Sequence, residues 1–384
     1  MKYRLTCLTP LLVGDGRKLS PIDYMVWKDQ VNVLDQRRIF RLLSKGPRLE
    51  GYLQQLKRAD KLDFASWGGF AQNFADRRIP FEHPSAAAYW DRARGEPLHI
   101  PTFFAGPAGP YLPGSAIKGA LRTGMLFTRW RDSARPNLER LTGEGERLPR
   151  HPGEEAEERA LGAGGSSFMR AVALADSTPI PVAKLRLYLL RVSTLVQKGA
   201  GRYELGWKQA PRATVPGSKP EDGTPAFAEM AEPGTVFEGV WRENGFLAQP
   251  EIGRMLRWRE PVNGTRLFAA ANDYAERLLA IHKQYAAWTG LATLERGLEV
   301  IEQWIGHLRS AGNGCVLSLG WGSGLLAKSG WLETDDAAYR QVLKQIPLYA
   351  RAAETGMPFP KTRRIVFLQN QPAALPGWAV LEVG

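Results

Sequence analysis

The chain has 384 residues, with 51 Lys+Arg against 39 Asp+Glu and a formal charge of +12. Its 44% hydrophobic and 23% charged residues are those of a globular protein with a sizeable core, which excludes wholesale disorder, and the positive excess points to a polyanion, nucleic acid foremost. Two cysteines, Cys7 and Cys315, far apart and outside any CxxC or CxxH, exclude a disulfide scaffold and a zinc ribbon and fit a reducing cytoplasm. Arg4 and Thr6 break the first apolar run too early for a leader peptide, and no stretch approaches the roughly 18 apolar residues of a membrane span, so no membrane partner is expected.

In chain order, Tyr3 to Val13 reads as a strand and Ile22 to Asp35 as a hairpin turning at Lys28-Asp29-Gln30. Two short helices follow over 36–44 and 48–62, then an aromatic-rich insertion over 65–110 that includes Trp67, Phe70, Phe74, Phe81 and Trp90. The clearest helix spans about Ser115 to Arg131, with Ser115 as its cap, an apolar stripe through Ile117, Ala120, Leu121 and Gly124, and a basic stripe through Lys118, Arg122 and Arg129. A polar insertion over 132–167 separates it from strand-like runs at Phe168 to Asp176 and Val182 to Val196.

Residues 198–225 lack a period and should protrude as a loop carrying Arg202, Lys208, Arg212 and Lys219 beside Tyr203 and Trp207. A strand resumes at Val236. Two long helices then show core stripes, Leu267 to Trp288 and Leu294 to Leu308, and strands follow at Cys315–Leu319, Arg364–Leu368 and Trp378–Val383. Strand-rich ends with helices between them suggest an α+β protein of two ferredoxin-like (RRM-like) units, divided near residue 230 into 1–230 and 231–384.

Two motifs carry chemistry. The run Tyr111-Leu-Pro-Gly-Ser-Ala-Ile-Lys-Gly-Ala-Leu-Arg places Gly114 and Ser115 at a helix start, where backbone N–H groups are free, with Lys118, Gly119 and Arg122 within two turns; this suits an anion, and a capped helix with a solvated basic face is the alternative. It lacks the spacing of a Walker A loop. Gly320, Gly322 and Gly324 alternate around Trp321 and Ser323, followed by Lys328; such a loop lets a phosphate backbone approach main-chain amides, or it is a plain turn between strands. In 198–225, Tyr203 and Trp207 offer stacking faces and Arg202 and Lys208 offer cations, the mixture single-stranded RNA requires; a surface loop without ligand is the other reading. Lys361, Arg363 and Arg364 add phosphate contacts or form a solvated cluster.

Catalytic signals are sparse. His83, His99, His151, His282 and His307 form no metal-binding spacing, and no nucleophile elbow accompanies them. Metal-independent RNA cleavage by His83 or His99 with Lys118 is the minority alternative. No metal, cofactor or catalytic residue is expected.

Four stretches together resemble the RAMP superfamily of CRISPR proteins: Thr9-Pro-Leu-Leu-Val-Gly-Asp-Gly with Leu19-Ser-Pro-Ile-Asp-Tyr; residues 111–122; Leu319-Gly-Trp-Gly-Ser-Gly; and Pro360-Lys-Thr-Arg-Arg with Pro376-Gly-Trp. Their order most resembles the subunit that caps the 3′ end of the guide RNA (crRNA) in type III-A effector complexes. The resemblance implies two ferredoxin-like domains, contact with a neighbouring backbone subunit, proximity to the 5′ end region of target RNA, and a non-catalytic role in guide maturation and antiviral defence. It also implies RNA contacts at Gly114, Ser115, Lys118, Gly119 and Arg122 and at Gly320, Gly322, Ser323 and Gly324. A repeat-cleaving RAMP endoribonuclease and a type III-B terminal subunit are the alternatives. Residues 65–110 and 132–167 match no family pattern.

Overall fold

The computed structural model describes residues 1–58, 62, 73–132, 153–199, 201–209, 215–258 and 262–384. Two five-stranded antiparallel sheets organise them. The first runs Gly314–Ser318, Trp378–Val383, Lys2–Cys7, Val236–Glu243, Val172–Leu174. The second is built on Leu185–Gly199, a 15-residue strand whose first half pairs with Ala226–Ala231 and whose second half pairs with Arg202–Trp207. Its other edge takes Thr362–Leu368, which continues to Gln371–Ala374. The LRLYLLRVSTLV run is buried almost throughout because both of its faces are covered.

Helices Gly264–Thr289 and Ala292–Ala311 form an antiparallel pair, joined through Gly290 in the left-handed conformation. The Asn263 side chain accepts from the Arg266 N–H at the pair's start. The stripes Leu267, Ala271, Tyr274, Leu278 and Leu294, Leu298, Ile301, Ile305, Leu308 are buried, as their spacing requires. Helix Gly114–Asp132 crosses Gly264–Thr289 closely: a Cβ on Gly124 would sit 2.8 Å from the Ala271 Cα. The α+β class is therefore as expected, in the form of curled antiparallel sheets backed by helices.

The division at 230 is not how the strands are distributed. Residues 230 and 231 lie inside the strand Ala226–Ala231, and each sheet mixes strands from both sides of it: Lys2–Cys7 pairs with Val236–Glu243 and Trp378–Val383, and Leu185–Gly199 pairs with Thr362–Leu368. The first strand stops at Cys7, with only a bridge from Leu11 to Ala231 beyond it. Only Val172–Leu174 of the run Phe168 to Asp176 is strand, preceded by a 3₁₀ turn over Phe168–Ala171. Helices Ala337–Gln345 and Pro347–Glu354 were not foreseen, their apolar stripes being short. Trp67 and Phe70 lie outside the described residues.

The insertion after residue 65 folds back through Ala75–Pro80, which completes a small sheet with Gln30–Leu34 and Tyr24–Trp27. It is fastened to the second sheet by charge. Arg77 donates from both terminal nitrogens to the Glu229 carboxylate (2.6 and 3.1 Å), and the Phe103 N–H donates to the same group (3.2 Å). Burial pushes the Glu229 carboxyl above the usual range, while Arg77 and the Phe103 amide pull it back. Arg77→Leu strands a buried carboxylate and is expected to cost about 3–5 kcal/mol in denaturant unfolding, part of which Glu229→Gln in the same chain restores.

Candidate nucleic-acid interface

The glycine loop is held where three backbone segments cross. The Leu319 N–H donates to the Gly377 carbonyl (2.9 Å), the Gly377 N–H to Pro10 (3.0 Å), and the Trp321 N–H to Leu12 (2.7 Å). A Cβ on Gly320 would lie 2.4 Å from the Leu12 oxygen, and one on Gly377 would lie 2.2 Å from the Leu319 oxygen; both residues also have positive φ, 85° and 93°. Trp378 is tied in through its N–H to the Thr9 hydroxyl (3.0 Å). Three of the four family-like stretches thus meet at one point, and the Ser323 hydroxyl closes the loop on the Gly320 carbonyl (2.9 Å).

The loop forms one wall of an open cleft of about 460 Å³, lined by Trp321, Gly322, Ser323, Gly324, Lys328, Tyr349, Thr362, Arg363 and Arg364. Lys328 and Gly324 are exposed at its rim. The Arg364 guanidinium lies 4.2 Å over the Trp321 ring, which fixes a cation beside the loop's amides. Burial pushes the Arg364 pKa down and Glu96 pulls it back. The fourth stretch also lines the cleft, through Pro360, Thr362, Arg363 and Arg364.

Arg363 is not part of a solvated cluster. It is buried with its Nε donating to His282 Nδ1 (3.0 Å) and its Nη1 to the Pro360 and Thr362 carbonyls (2.6 and 2.9 Å), 4.6 Å from the Tyr285 ring centre. Tyr285 in turn bonds Ser193 (2.8 Å). Burial lowers the Arg363 pKa to about 10, so it stays charged, while burial and the Arg363 charge hold His282 neutral, well below the usual imidazole range. Nδ1 is the acceptor, so the proton of His282 resides on Nε2. Composition alone gave no sign of this pedestal.

The helix start behaves differently from its sequence reading. The helix begins at Gly114, not at a Ser115 cap, and the Gly114 N–H donates to the Asp176 carboxylate (2.9 Å), which supplies the negative charge the helix dipole favours. Lys118 turns inward and donates to the Val172 carbonyl (2.7 Å), with its pKa lowered by burial. Arg122 pairs with Glu157 (2.5 Å) of helix Glu154–Leu161, and Arg129 lies 5.2 Å over Phe168. Ser115 and Gly119 are exposed. Among the described residues the helix start does not line the cleft of the glycine loop; hydrogen-bonded steps, Tyr111 N–H to Phe104 and Phe104 N–H to Val13, lead from the segment before the helix toward the stretch that crosses the loop.

In place of a protruding loop, the chain after 198 closes a hairpin, Leu185–Gly199 with Arg202–Trp207. Trp207 is fully buried, 5.6 Å from the Phe367 ring, so it is no stacking platform; Tyr203 packs on Trp288 (5.1 Å). Alternation sends Trp207 inward, whereas Arg202 and Lys208 are exposed. Arg212 and His151 lie outside the described residues. His83 bonds Ser85 at a helix start, and His99 ends a 3₁₀ turn. Neither is joined to Lys118 by a hydrogen bond among the described residues. Among those residues no His, Cys, Asp and Glu group is arranged to hold a metal, and no helix is long and apolar enough to cross a membrane.

Comparison with known proteins places this geometry. The sequence profile of the RAMP superfamily matches residues 4–254, more than half of the chain. A curated relative, the CRISPR system Cms protein Csm5 of Methanocaldococcus jannaschii, is 22% identical over 175 residues, and the match spans 42% of this chain but only 38% of that relative. One chain of a cryo-EM structure of a Csm-crRNA-target RNA ternary complex from a type III-A CRISPR-Cas system superposes with a TM-score of 0.69 at 20% identity, covering all of both chains. The crystal structure of T. onnurineus Csm5 superposes with a TM-score of 0.62 at 17% identity, covering 99% of this chain and all of that one. These superpositions carry the fold.

The loop's packing predicts two unequal glycine substitutions. Gly324→Ala, with open surroundings, is expected to cost only the strain of its positive φ, roughly 1–3 kcal/mol, and Gly320→Val distinctly more because the Leu12 carbonyl must move. For His282, a depressed folded pKa means the unfolded chain binds the extra proton. Stability is complete above about pH 6.5, the free imidazole value, and falls as pH drops below it, by at most about 1.4 kcal/mol per unit. Thermal unfolding from pH 7 to 5 should show this loss, and His282→Gln, which keeps an acceptor for Arg363, should flatten it.

Proposed function

We propose that this chain, which belongs to the RAMP superfamily, is the non-catalytic subunit that caps the 3′ end of the crRNA in a type III-A effector complex and docks on the neighbouring backbone subunit. The observation that carries the proposal is the open cleft beside the glycine loop. Two glycines of positive φ, Gly322 and Gly324, line one wall with Ser323, where side chains do not keep a phosphate from the main chain, while Lys328 and the ring-held Arg364 supply cations beside them. A phosphate backbone fits such a wall; a folded duplex gains nothing from it. The names of the similar proteins support the assignment to a Csm complex, in which crRNA, target RNA and other subunits are the partners.

The part played by the helix motif changes in this reading. Lys118 and Arg122 serve the fold, and RNA at this end meets the exposed Ser115 and Gly119 at most. Arg202 and Lys208, exposed on the hairpin, extend the basic surface. Because phosphates carry the contact, binding is independent of base identity and weakens with salt. The Lys118 ammonium is engaged by the Val172 carbonyl and so is not free to assist a histidine in cleavage, which favours the non-catalytic reading. The two free, buried cysteines, Cys7 and Cys315, support a reducing, cytoplasmic setting for the complex.

The test is guide occupancy. Lys328→Glu with Arg364→Glu should strip crRNA from the assembled complex and lower the salt slope of RNA binding by about 0.7 for each lost phosphate contact. Arg122→Gln with Glu157→Gln, which removes an internal pair, should leave occupancy unchanged. Full occupancy in the Lys328/Arg364 double variant contradicts the proposal, and a single defined cut in repeat RNA by the pure protein in chelator supports the endoribonuclease instead.

A further inference from the structure

We infer that a second cavity receives an unpaired nucleobase of the RNA strand whose phosphates lie in the glycine-loop cleft, an inference that rests on the RNA-binding reading above. The cavity, about 580 Å³, opens between the end of helix Gly114–Asp132, helix Gly264–Thr289 and the segment after Lys328. Its apolar lining is the half-buried ring of Trp130 with the edges of Phe127 and Trp331, which are otherwise buried. Gly330 makes room for one of these rings: a Cβ there would stand 2.8 Å from the Trp130 indole.

The charges at the rim are already matched. Asp273 accepts from Arg131 (3.1 Å) and Arg309 (2.8 Å), and Glu333 accepts from Arg277 (2.9 Å). Such a rim calls for no ionic ligand, while the aromatic walls call for a flat group with polar edges. A nucleobase has that form, and stacking on indole tolerates any base.

Continuity selects RNA over other flat ligands. Leu325, Leu326 and Lys328 line the glycine-loop cleft, and Trp331 and Leu332 line the second cavity. Three residue steps lead from Lys328 to Trp331, a reach of at most about 11 Å. A strand whose phosphates meet Lys328 comes within that reach of the aromatic cavity.

The test compares affinity with salt dependence in the full chain, using single-stranded RNA of the guide's 3′ sequence. Trp130→Ala, at the half-buried ring, should weaken binding roughly 5- to 100-fold while leaving the salt slope unchanged, because a stacking contact is lost and no phosphate contact is. In a scan of abasic substitutions along the RNA, one position should cost the unaltered chain the same factor and cost the Trp130→Ala chain nothing further. Trp130→Leu, which keeps apolar bulk without an indole face, gives the same readout should Trp130→Ala fail to fold.

Unchanged affinity in both variants, or a loss accompanied by a shallower slope, overturns the inference. So does a variant that binds RNA normally but no longer joins the neighbouring subunit, which marks the cavity as a protein contact. If the unaltered chain itself retains no RNA, the RNA-binding reading fails and the base site falls with it. If that chain binds and the tryptophan variants match it, only the base site is lost.

Discussion

The structure depends on a crossing of main chains that leaves no room for side chains. Gly320 and Gly377 let the segments Pro10–Leu12, Leu319–Trp321 and Pro376–Trp378 approach to hydrogen-bonding distance, with a carbonyl oxygen standing where a Cβ would be. A loop fixed in this way is not a flexible linker that finds its ligand. Its backbone course is set before any ligand arrives, which reduces the ordering cost of binding. The crossing also joins the beginning of the chain to its end, so the cleft cannot form until both sheets have drawn strands from distant parts of the sequence.

Charge in this protein divides into two populations, and the +12 surplus does not show which residue belongs to which. Arg77, Lys118 and Arg363 are engaged with a carboxylate, carbonyls or an imidazole within the fold, and Arg122 is held by Glu157 in a half-exposed pair. Arg364 and Lys328 face the cleft, and Arg202 and Lys208 face solvent. The adjacent pair Arg363 and Arg364 shows the division most simply. Strand alternation sends the first toward His282 and Tyr285 and the second over Trp321.

Periodicity made the long helices and most strands legible, because burial of a stripe or a face is a local property of the sequence. Leu294, Leu298, Ile301, Ile305 and Leu308 could be assigned from spacing alone. The glycine loop was legible for the same reason, since only glycine accepts φ near 90° next to a carbonyl. What sequence did not disclose was every long-range polar partner. Asp176 caps the helix start from 62 residues away, Glu157 neutralises Arg122, and the Arg363 pedestal draws on three strands and helices. Trp207 misled for a related reason: a tryptophan among lysines and glycines has the composition of a surface platform, yet pairing in the hairpin turns it into the core. The strand exchange between sheets was also hidden, since pairing partners are not encoded by pattern.

The central claim is that RNA lies along the glycine-loop cleft and not on the basic-looking helix. Zero-length photocrosslinking from a 4-thiouridine-bearing guide within the assembled complex, with the crosslinked residues mapped by mass spectrometry, tests it most directly. The account predicts adducts within residues 321–328 and 361–364. Adducts confined to residues 114–122 or 202–208, with none in the cleft, would contradict it.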